Sequence, residues 1–76
     1  MANLDEILLA RENEIKKLCI GKEITEAREN LGYWWVLMSQ NVTPEKSVYI
    51  FNRAGYGRLA ISAKNNIVTG ANYAIF

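Results

Sequence analysis

The chain has 76 residues, with nine Lys/Arg against eight Asp/Glu and a formal net charge of +1, which excludes both a polyacidic mimic of nucleic acid and a strongly basic coat for it. It has no histidine and one cysteine, Cys19, so an intramolecular disulfide, a Ser-His or Cys-His nucleophile and a Cys-rich zinc site are excluded too. A chain this short buries only ~60% of its unfolded surface, and with disulfide and metal set aside, self-association is the usual remaining supplement.

The first third predicts helix. Asn3-Leu4-Asp5-Glu6 has the form of a capping box, with acids in the first turn. Leu4, Ile7, Leu8, Ile15 and Leu18 fall on one helical stripe. Glu12 and Lys16 make an i,i+4 pair in the favourable order, and Gly21 is placed to end the helix as a left-handed cap. At ~100° per residue, Ile24, Ala27 and Leu31 lie about half a turn from the first stripe. One straight helix would then bury opposite faces at its two ends. A break at Gly21 and a second short helix from about Thr25 to Leu31 remove the conflict, giving a helical hairpin or elbow.

Tyr33-Trp34-Trp35-Val36-Leu37-Met38 reads either as a strand apolar on both faces or as a continuation of the second helix; Gly32 and the aromatic, β-branched content favour the strand. The run is far shorter than the ~20 residues of a spanning helix. Asp5 and Glu6 stand where a signal peptide carries positive charge, so the expected location is the cytoplasm. After the Thr43-Pro44 break, Val48 to Arg53 predicts a strand and Ala54-Gly55-Tyr56-Gly57 a turn. Arg58 to Ser62 predicts a second strand, Lys64-Asn65-Asn66 a turn, and Ile67 to Phe76 a last strand kinked at Gly70. The whole is one α+β domain, residues 1–76. A helical part (3–31) packs on one face of a three- to four-stranded antiparallel meander (33–76).

Charge divides modestly between the parts. Residues 1–31 carry seven acids and five bases, while 32–76 carry Glu45 against Lys46, Arg53, Arg58 and Lys64. Glu23, Glu26 and Glu29 recur every third residue, as on a solvated helix face rather than an acid–base site. Cys19, at the edge of the apolar stripe, reads as a buried small hydrophobe. No phosphate-binding glycine loop occurs, so no enzymatic activity, cofactor or metal is expected.

Arg53-Ala54-Gly55-Tyr56-Gly57-Arg58-Leu59-Ala60-Ile61 partly resembles the RNA-recognition-motif signature through Gly55, Tyr56, Gly57 and Leu59. Arg58 and Ile61 replace two of its aromatic positions, and the helices precede the sheet instead of alternating with it. The chain is not assigned to that family.

Side chains alternate faces along a strand. Two helices ~10 Å wide cover one face of a four-stranded sheet and leave the other bare. The expected core is Val48, Ile50, Leu59, Ile61, Ile67 and Ile75. The expected contact surface is Trp34 or Trp35 with Tyr49, Phe51, Arg53 and Arg58, and Tyr56 in the turn beside them. Trp, Tyr and Arg are the residues of binding hot spots. A sheet curved enough to fold these rings into a second small core is the competing expectation. The expected function is a non-enzymatic interaction module, an adaptor, regulator or inhibitor, bound to another protein or to its own copy as a homo-oligomer. A single-stranded nucleic-acid binder would stack bases on Tyr49, Phe51 or Tyr56 and contact phosphates with Arg53, Arg58 and Lys64. A pocket-forming ligand-binding oligomer is a third expectation.

Overall fold

The computed structural model describes residues 4–43 and 45–75. Its elements run α1 (Leu4–Cys19), α2 (Ile24–Leu31), β1 (Val36–Val42), β2 (Ser47–Arg53), β3 (Gly57–Lys64) and β4 (Ile67–Ala74). The strands form one antiparallel meander in the order β1-β2-β3-β4. The α+β fold expected from the sequence is the fold observed. No helix among the described residues is long and apolar enough to cross a membrane.

The helical elbow forms where the two stripes conflict. Gly21 takes a φ of +80°, a left-handed conformation that is cheap only for glycine. Glu12 and Lys16 approach to 3.5 Å across one turn of α1. Asn3, the expected cap of this helix, lies outside the described residues, as do Pro44 and Phe76. Gly32 ends α2 with a φ of +83° and donates its N–H to the Arg28 carbonyl. Tyr33 and Trp34 then form a turn, and β1 starts at Val36. The segment after Gly32 is therefore a turn entering a strand, not more helix.

The α1–α2 connection is stitched to the outer edge of β4. Gly21 N–H donates to Val68 O at 2.9 Å, Val68 N–H to Lys22 O at 2.8 Å, and Ile24 N–H to Asn66 O at 2.8 Å. Asn65 and Asn66, both at positive φ, make the two-residue β3–β4 turn, as the asparagine pair predicts. The register of β4 shifts beside Gly70, which is the expected kink.

The core lies between the helices and the inner face of β2, β3 and β4. Ile15, Cys19, Ile24, Ala27 and Leu31 descend onto Tyr49, Phe51, Leu59, Ile61, Ala63, Val68, Ala71 and Tyr73. Leu4 and Ile7 of the predicted α1 stripe are exposed, while Leu8 and Leu18 are partly buried. Two of the expected core positions, Leu59 and Ile61, are fully buried. Val48 and Ile50 are not beneath the helices; they stand half-buried on the opposite face, against Ser62 and Ala60. Ile67 and Ile75 are exposed.

The inversion has one cause. Arg53 pairs with Gly57, so the β2–β3 loop holds three residues and Phe51 falls opposite Leu59, Tyr49 opposite Ile61. Counting Gly57 into the turn shifts the register by one and exchanges the two faces of β2. The rings of Tyr49 and Phe51 thus fill the helix–sheet space, at 7% and 2% exposure. The open face carries Val48 and Ile50 among small and polar groups such as Asn52, Arg58, Ala60, Ser62, Gly70 and Asn72.

Candidate functional site: an arginine–aromatic ladder

Adjacent residues of an extended segment point to opposite sides, and the tryptophan pair divides accordingly. Trp35 is 6% exposed and joins the core, whereas Trp34 is 59% exposed. Trp34 stacks on Tyr33 with ring centroids 4.7 Å apart, and Tyr33 itself is 81% exposed.

The guanidinium of Arg53 lies 5.9 Å from the Trp34 ring and 4.3 Å from the ring of Tyr56. Arg11, from α1, sits 4.2 Å from the same Tyr56 ring. Tyr33, Trp34, Arg53, Tyr56 and Arg11 thus make a ladder of rings and guanidiniums at one end of the sheet. It joins α1, the turn before β1, the end of β2 and the β2–β3 loop. A cation over an aromatic face contributes roughly 0.5–1 kcal/mol at an exposed site, and more when desolvated.

The ladder is braced from beneath. Trp35 meets Tyr56 edge-on at 5.5 Å and Tyr73 edge-on at 6.2 Å. Arg11 Nη1 donates to Tyr73 Oη at 2.9 Å, and the Tyr73 hydroxyl donates to the Tyr56 carbonyl. No carboxylate lies within salt-bridge distance of Arg11 or Arg53 among the described residues. Their charges are held by rings, a phenol and a carbonyl instead.

Beside the exposed Tyr33 opens a cleft of about 500 Å³, bounded by Arg28 and Glu29 of α2 and floored by Trp35 and Phe51. Arg28 lies 5.9 Å from the Phe51 ring. The cleft exists because the helices sit over β2 to β4 and leave β1 uncovered; only Leu37 of that strand is even half-buried.

Of the seven residues expected at the contact surface, the structure brings four together: Trp34, Trp35, Arg53 and Tyr56. Trp34, Arg53 and Tyr56 keep accessible surface. Tyr49 and Phe51 are core residues, a correction that follows from the β2 register, and Trp35 is the buried member of the divided tryptophan pair. Arg58 stands apart on the open face, its Nε donating to Asn52 Oδ1 at 3.3 Å. Lys64 lies at the far end of β3 from Arg58. Of the platforms and cations expected to bind single-stranded nucleic acid, Tyr49 and Phe51 are buried and Arg58 and Lys64 lie apart, while Arg53 and Tyr56 stay together and accessible.

Arg11, Tyr33 and Tyr73 were not anticipated as members of the site. Arg11 had a readable signal: it occupies a position of the stripe Leu4, Leu8, Ile15, Leu18, where a basic side chain needs a partner inside the fold. Tyr73 had none before the register of β4 was known.

Cys19 is fully buried, and burial pushes its thiol up from 9.0 to about 11. It has the character of a packed apolar group, not of a nucleophile.

No protein-family model, curated protein or solved structure matches this chain significantly.

Proposed function

We propose that the chain is a non-enzymatic protein-interaction module, an adaptor, regulator or inhibitor, that engages its partner through the Tyr33–Trp34 end of the ladder and the adjoining cleft. One observation carries this reading. Two large rings are exposed, yet they are stacked on each other and backed by Arg53, Tyr56 and Arg11. An exposed aromatic that is already ordered loses little freedom on binding, which is what a hot-spot anchor requires. Arg28 and Glu29 at the cleft rim supply both signs of charge for orienting a partner.

The test places a photo-cross-linking side chain at position 33 and, separately, at position 66 in the remote β3–β4 turn. A protein captured from position 33 and not from position 66 is then purified and titrated. Trp34→Ala is expected to weaken its binding roughly ten- to a hundredfold, the range of an anchor residue. Unchanged affinity in Trp34→Ala, or identical capture from both positions, would sink the proposal. Salt-sensitive quenching by mixed-sequence oligonucleotides, without protein capture, would favour nucleic acid instead.

A further inference from the structure

The sheet has two edges, and the chain treats them differently. The edge of β4 is closed by its own backbone, through the bonds from Gly21, Lys22 and Ile24 to Val68 and Asn66 and a bridge between Glu23 and Ile67. Among the described residues, β1 pairs with β2 alone. Its other side is a row of backbone donors and acceptors that no described strand faces, a template that another strand fits.

Edge strands of monomeric proteins are normally blunted by lysine, proline or an inward charge. Val36-Leu37-Met38-Ser39-Gln40-Asn41-Val42 has none of these. Its one irregularity is the shift in register between Leu37 and Ser39. Beyond it, Ser39 to Val42 run in unbroken register with Ile50 to Ser47, so the regular part of the free edge is Ser39–Val42.

We infer that β1 pairs antiparallel with β1 of a second copy, joining two meanders into one eight-stranded sheet about a two-fold axis. The strand's own chemistry selects a copy of itself. A two-fold axis perpendicular to the sheet makes antiparallel self-pairing the isologous arrangement, and a strand without charge meets no like-charge repulsion from its duplicate. Opposed residues then share a face, and the register centred on Gln40 lies within the regular part of the edge. Gln40 faces Gln40 of the partner copy, and a carboxamide both donates and accepts. Ser39 meets the partner copy's Asn41, and Met38 lies at the bulge outside this register. The association adds the buried surface that a 76-residue domain without a disulfide lacks.

The test is mass in solution by sedimentation or light scattering at micromolar chain concentration. Wild type is expected at twice the 8.6 kDa of the single chain. Gln40→Lys, which sets two ammonium groups against each other on the axis, is expected at the single-chain mass with its circular dichroism unchanged, since Gln40 is exposed. Gln40→Cys is expected to link into a covalent dimer under mild oxidation, while Glu45→Cys is not. A monomeric wild type, a dimer that survives Gln40→Lys, or a Gln40→Cys variant that stays unlinked would each overturn the inference. None of these measurements involves Trp34, so they stand independently of the proposed partner surface.

Discussion

Gly57 and Tyr73 approach so closely that a β-carbon on Gly57 would lie 2.7 Å from the tyrosine ring and 2.4 Å from the Ala74 carbonyl oxygen. Gly57 also holds a φ of +154°. Its missing side chain is what lets Tyr73 lie beneath the ladder. Gly57→Ala should therefore cost about 2–4 kcal/mol, through backbone strain and overpacking together. Gly55→Ala, two residues away with open space around it, should cost only about 1 kcal/mol, for its φ alone. Urea denaturation of the two variants checks the contrast.

Tyr73 and Arg11 should prove energetically coupled. Tyr73→Phe removes the acceptor of Arg11 Nη1 and the donor to the Tyr56 carbonyl, an expected loss of about 1–2 kcal/mol. Arg11→Met keeps much of the stem and removes the charge. A double-mutant cycle should give a coupling of roughly 0.5–1.5 kcal/mol. A coupling of zero would mean that the ladder's end is not held by this phenol.

The register of β2 can be read from two truncations. Phe51→Ala opens a cavity under the helices and should cost about 3–5 kcal/mol. Ile50→Ala, on the half-buried open face, should cost roughly 1 kcal/mol. Equal losses would contradict the face assignment.

Burial of the Cys19 thiol carries a pH signature. The folded protein holds this proton to about pH 11, against 9.0 for the exposed group. More protons are then bound folded than unfolded, so stability falls as pH rises through that window. The expected loss is roughly 2–3 kcal/mol. Cys19→Ala should start lower, because it leaves a small void, and should lose less between pH 9 and 11. Parallel stability curves for the two proteins would mean that the buried thiol does not carry the alkaline loss.

The elements themselves were largely legible in the sequence. Gly21, Gly32 and the Asn65-Asn66 pair mark real breaks because each position needs a positive φ, and that demand is local. The faces of β2 were not legible in the same way. Val48 and Ile50 are as apolar as Tyr49 and Phe51, so alternation does not say which pair meets the helices. The answer sits in the length of one loop, where a single residue decides. The ladder was half-visible: Trp34, Arg53 and Tyr56 all belong to the expected contact surface, but Arg11 and Tyr73 reach them only through the packing of α1 on β4 and the register of the last strand.

The stitching of residues 21–24 to β4 also bears on how the molecule comes apart. Because main-chain groups of the helical elbow serve as a fifth ladder rail at Asn66 and Val68, the helices cannot peel away as a free arm while the meander stays whole. Opening one unit exposes the other, which makes deuterium uptake at the Val68 amide a reporter of global melting and not of local fraying.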